Sequence, residues 1–121
     1  MWYKTTVLFL AIASLVSIQD DFIYIKDDQQ LKIELKNGAN YLKWDELSTI
    51  KLTTLNVDPG NLSMSAPGLR MIKGATDEKP QSLWEIKPER RSMKTDTLKL
   101  NIRVKNGKDS YWSHQFKILV R

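Results

Sequence analysis

Between Leu98 and Val104 the chain alternates without a break: Leu98, Leu100, Ile102 and Val104 are aliphatic, and Lys99, Asn101 and Arg103 between them are polar. Successive side chains of a β-strand point to opposite faces, so this period of two predicts a strand with one face in a core and one in water. The same period appears in Leu31-Lys32-Ile33-Glu34-Leu35-Lys36, and again in Trp112, Phe116, Ile118 and Val120. A half-apolar sheet is stable only when another layer covers it. That requirement constrains the fold more than any other feature of the chain.

The rest of the sequence reads the same way. Ser48 to Leu55 is rich in β-branched residues, and Ile50 and Leu52 share a face. Tyr41 to Trp44 is a short strand candidate, Leu62, Met64 and Ala66 alternate, and Trp84 and Ile86 alternate before Pro88 stops the run. Asn37-Gly38 suits the positive φ angles of a tight hairpin turn, as does Asn106-Gly107 ahead of the last strand. Asp58-Pro59-Gly60-Asn61 and Pro67-Gly68 are further turn signals, and residues 73–81 and 88–96 are charged loops. Past the first 19 residues nothing carries apolar residues at helical spacing. The expectation is an all-β, Ig-like β-sandwich of about seven strands over residues 20–121, with a barrel as the alternative architecture.

The start of the chain has a different character. Met1-Trp2-Tyr3-Lys4 is followed by an uncharged, mostly apolar run from Thr5 to Ile18, then by Asp20-Asp21. This is the pattern of a secretory signal peptide over residues 1–19, with cleavage expected near Ser17 to Gln19. As a helix the run would rise only about 21 Å, short of the roughly 30 Å hydrocarbon core, so a membrane anchor fits less well. After cleavage the expectation is an exported chain, periplasmic or in the cell envelope, that does not itself span a membrane.

Among 121 residues there is no cysteine. Disulfides, thiolate zinc sites and cysteine nucleophiles are thereby excluded. The formal charge is +5, and without Lys4 it is +4. The lysines lie singly along the strands, and an exported chain does not ordinarily meet nucleic acid, so no nucleic-acid partner is expected. A basic surface in an envelope suits anionic glycans or lipid headgroups.

Reagents for catalysis are scarce. The one histidine, His114, shares parity with Trp112 and Phe116, which places it in the core or at its rim. The acid pairs Asp20-Asp21, Asp27-Asp28, Asp45-Glu46 and Asp77-Glu78 are adjacent in sequence, so on a strand the two members face opposite ways. Solvated turns explain them better than a calcium site or an acid–base pair. No phosphate-binding loop or nucleophile-elbow motif is present. The expectation is a protein that is not an enzyme, with no cofactor and no metal site. Among the aromatics, Trp84 and Trp112 are in phase with apolar neighbours and belong to the core. Trp44 stands among charges and, with Tyr41, Arg90 and Arg91, forms the candidate partner-binding surface.

The segment Val57-Asp58-Pro59-Gly60-Asn61-Leu62-Ser63-Met64-Ser65-Ala66-Pro67-Gly68-Leu69 resembles the turn-and-strand unit of the Ig-like repeats in the C-terminal half of the GldM family, a periplasmic component of gliding-motility and type IX secretion machines. Trp84-Glu85-Ile86-Lys87-Pro88, the strand from Leu98 to Val104, and Phe116-Lys117-Ile118-Leu119-Val120 follow in the same order as in those repeats. The resemblance spans roughly Asn40 to Arg121. It implies an Ig-like fold, a periplasmic location and a role in protein–protein assembly. The chain lacks the length for that family's membrane helix and long helical region, so motor coupling does not carry over. The function expected is protein–protein interaction in the bacterial envelope, and the alternative is binding of glycan or peptidoglycan.

Overall fold

The computed structural model describes residues 22–76 and 78–121, so the segment read as a signal peptide and the pair Asp20-Asp21 lie outside the described residues. Within them the alternating segments form nine strands: β1 (Ile23–Lys26), β2 (Gln29–Leu35), β3 (Tyr41–Leu42), β4 (Ser48–Leu55), β5 (Leu62–Ser65), β6 (Leu69–Lys73), β7 (Gln81–Ile86), β8 (Thr97–Lys105) and β9 (Tyr111–Val120). They pair into a five-stranded sheet of order β1-β2-β4-β7-β6 and a four-stranded sheet of order β3-β9-β8-β5. All pairs are antiparallel except β3 with β9.

If β2 and β3 are taken as two halves of one first strand, the sheets become A-B-E-D and A′-G-F-C. That is the strand order of an immunoglobulin-like sandwich. The seven-strand frame expected from the sequence is therefore present, with its first strand split and with β1 added outside it. Asn37 (φ 60°) and Gly38 (φ 70°) do adopt the left-handed conformation their types favour. They do not close a hairpin. The turn at Lys36–Gly38 carries the chain from the edge of one sheet to the edge of the other, where Tyr41 and Leu42 pair parallel to Leu119 and Val120.

The inner faces are those the alternation predicts. Leu31, Ile33 and Leu35 on β2, Ile50 and Leu52 on β4, and Trp84 and Ile86 on β7 are all buried. Opposite them lie Leu98, Leu100, Ile102 and Val104 of β8 and Trp112, Phe116, Ile118 and Val120 of β9. Each fully buried aliphatic side chain contributes about 1.5–3 kcal/mol. The two buried tryptophans keep their N–H groups satisfied: Trp84 Nε1 donates to Ser82 Oγ at 2.8 Å, and Trp112 Nε1 donates to Gln29 Oε1 at 2.9 Å.

The segment Val57 to Leu69 crosses between the sheets and back. Val57 is buried, Asp58 Oδ1 accepts from the Gly60 N–H at 2.9 Å, and β5 then joins the four-stranded sheet. Gly68 returns the chain to β6 with φ 78°, and a Cβ there would lie 2.8 Å from the Lys87 carbonyl oxygen. Both its conformation and its closeness to backbone call for glycine. Among the described residues no helix is long and apolar enough to cross a membrane.

Candidate functional site

Three of the four residues singled out from the sequence gather at one end of the sandwich. The backbone brings them there: Arg121 N–H donates to the Leu42 carbonyl (2.8 Å), Trp44 N–H to the Arg121 carbonyl (3.1 Å) and Asp45 N–H to the Pro88 carbonyl (2.6 Å). These bonds fasten the stretch after β3 to the end of β9 and to the loop after β7. The Arg90 guanidinium then lies 5.0 Å from the Trp44 ring centroid, and that of Arg121 lies 5.0 Å from the Tyr41 ring. Both are cation–π distances.

Trp44 is half-buried and packs against the core, so it is less of a projecting anchor than its charged sequence neighbours suggest. Arg90 occupies one side of the ring. Arg91 turns away, exposed to solvent, with Nε 3.7 Å from Glu89 Oε1. The arrangement offers two aromatic–guanidinium stacks with exposed cationic edges, which suits carboxylates on a protein partner. It is a poor open platform for a sugar ring, which needs a bare aromatic face. Arg121 has no motif to announce it, because its place depends on the parallel pairing of the two-residue strand β3.

A second feature lies along the side of the molecule. β1 covers β2 only from Gln29 to Lys32, leaving the edge of Ile33–Leu35 without a strand partner on that side. β3 covers β9 only at Leu119 and Val120. Between these edges runs an open groove of about 670 Å³, lined among others by Phe22, Ile33, Leu35, Ala39, Lys117 and Leu119. Unpaired strand edges are ready templates for another chain.

His114 sits at the rim, as its parity predicts. Its ring stacks on Tyr24 of β1 (centroids 3.8 Å apart) and meets Phe116 edge-on at 4.6 Å. Burial against these rings disfavours the charged imidazolium and holds its pKa below the ordinary value. The contact ties the added strand β1 to the opposite sheet. Among the described residues no three His, Cys, Asp or Glu side chains gather as a metal site would require. Compared with protein-family models, curated proteins and solved structures, the chain matches none.

Proposed function

We propose that this chain is an exported, non-catalytic Ig-like module that mediates protein–protein interaction in the bacterial cell envelope, as a GldM-like repeat would. The observation that carries the reading is the pair of uncovered strand edges, Ile33–Leu35 of β2 and the part of β9 just ahead of Leu119, which meet at a groove lined by Ile33, Leu35, Lys117 and Leu119. An extended partner segment entering that groove gains main-chain hydrogen bonds and packs its side chains on Phe22, Ala39 and Leu119. The signal-like residues 1–19 support export, and the order of units from Val57 onward supports the GldM-like reading. The packing of His114 between two aromatic rings favours a structural role for the one imidazole. The alternative, a glycan-binding module centred on Tyr41 and Trp44, has less support, because guanidinium groups of the same chain lie against both rings.

The test is affinity capture from envelope extracts with the parent protein and with Leu119→Arg, which fills the groove from an exposed position. Leu119→Arg is expected to fold and to lose the partner that the parent retains through cross-linking. Recovery of the parent alone, or an identical partner set with both proteins, would count against the reading.

A further inference from the structure

The outward face of the four-stranded sheet carries cations toward both ends and an uncharged centre. Facing solvent on β8 are Lys99, Asn101, Arg103 and Lys105, and on β9 Tyr111, Ser113, Gln115, Lys117 and Leu119. β5 adds Ser63 and Ser65. Among these described residues there is no carboxylate. The nearest acids in sequence, Asp96 and Asp109, flank the strands at the ends of β8 and β9. The five-stranded sheet differs. Of its outward cations, Lys51 and Arg70 stand in register with Glu34 and Glu85, with Arg70 ion-paired to Glu85, whereas Lys32 and Lys73 stand opposite Thr53 and Leu83.

A second observation points the same way. Lys99 and Lys117 are direct cross-strand partners. Like charges set opposite each other destabilise a sheet, and nothing in the fold requires this pair. A bound anion would remove the repulsion. At the centre of the face the amides of Asn101 and Gln115 are hydrogen-bonded at 2.8 Å, and Arg103 stacks on Tyr111 at 3.9 Å. Cations thus stand on both sides of a flat polar strip. Alternate residues of a strand repeat at roughly 7 Å, so a polymer laid along β8 meets Lys99, the Asn101 amide, Arg103 and Lys105 in turn.

We propose that this face binds an anionic polysaccharide, with Lys99, Arg103 and Lys117 meeting its carboxylate or sulfate groups. Ser63, Ser113 and the Asn101–Gln115 amides meet its hydroxyls. The inference goes beyond protein–protein interaction and uses the outward face of the sheet, which borders the groove at Lys117 and Leu119. A lipid surface fits less well, since peripheral membrane binding also needs apolar side chains to insert. The centre of this face is amide and hydroxyl, and its exposed apolar residues, Tyr111 and Leu119, lie at opposite ends.

The purified protein should be titrated with polygalacturonate, neutral dextran, inorganic polyphosphate, and phosphatidylglycerol–phosphatidylcholine vesicles, at low and at physiological salt. The expected result is salt-sensitive binding of polygalacturonate and none of dextran. The triple variant Lys99→Gln/Arg103→Gln/Lys117→Gln should weaken it by about tenfold or more. Lys32→Gln/Lys51→Gln/Lys73→Gln removes equal charge from the other sheet and should change it by less than about twofold. Melting curves establish that both triples are folded. Equal losses in the two triples would reduce the effect to net charge and overturn the site. So would no binding of polygalacturonate, equal binding of dextran, or tighter binding of polyphosphate or vesicles. Because Lys117 also lines the groove, the double variant Lys99→Gln/Arg103→Gln separates the two readings: it should still weaken polygalacturonate binding and leave partner capture unchanged.

Discussion

The two sheets present equivalent faces to each other and dissimilar faces to water. Inside, aliphatic rows from β2 and β4 meet aliphatic rows from β8 and β9, and neither sheet contributes a charge to the core. Outside, the five-stranded sheet sets Glu34 against Lys51 and Glu85 against Arg70, whereas the four-stranded sheet sets Lys99 against Lys117. Cross-strand pairs of opposite charge stabilise a sheet and like pairs weaken it. The contrast teaches where stability and binding are divided. The inner faces and the mixed outer face hold the fold, and the cationic outer face carries a cost that folding alone does not explain.

The largest expected effects test the equivalence of the inner faces. Phe116→Ala in the four-stranded sheet should cost about 3–5 kcal/mol and Leu52→Ala in the five-stranded sheet about 2–5 kcal/mol. Urea unfolding measures both, and a loss confined to one sheet would break the symmetry. Next comes the crossing between sheets. Gly68→Ala places a Cβ against the Lys87 carbonyl at a positive φ, and should destabilise by about 2–4 kcal/mol. A neutral Gly68→Ala would show that β6 does not depend on that return.

The outer faces should respond in opposite directions to charge reversal. Lys117→Glu is expected to stabilise by about 0.2–1 kcal/mol, and Glu34→Lys to destabilise by a similar amount. Equal signs in thermal melts would remove the contrast. The smallest effect belongs to the contact between β1 and the opposite sheet. Because the folded pKa of His114 is lowered, the unfolded chain binds its proton more readily. The contribution of His114 is present above its unfolded pKa and is lost as pH falls through that value toward the folded one. Melting temperatures between pH 7.5 and pH 5 should therefore drop less for His114→Phe than for the parent.

Much of this architecture is legible in the sequence. β8 and β9 can be read almost residue by residue, because their apolar sets occupy one parity and the opposite sheet buries all of it. β1 is not legible: Ile23 and Ile25 pair with Lys32 and Gln30 on the outward side, and Tyr24 is the one apolar side chain of the strand on the inward side. Its apolar pattern points away from the core. β3 falls within the short strand read at Tyr41 to Trp44, but its parallel partner is non-local, so no local pattern reveals where it docks. The same pairing leaves Arg121 beside Tyr41 with no local signal, and gives Asn37-Gly38 the signature of a hairpin turn that it does not close. Turn chemistry specifies backbone angles but not which sheet receives the next strand. Tyr41, Trp44 and Arg90 were recognisable as surface candidates, yet the guanidinium stacking that covers the rings depends on the loop folding back. The Lys99–Lys117 opposition could be seen only once the register of β8 and β9 was known.

A double-mutant cycle on Lys99 and Lys117, each changed to Gln, tests the division between stability and binding most directly. In the free protein their coupling should be unfavourable by about 0.2–1 kcal/mol. With polygalacturonate bound, the coupling should vanish or become favourable. A coupling of zero in the free protein, or one unchanged by the polymer, would contradict the account.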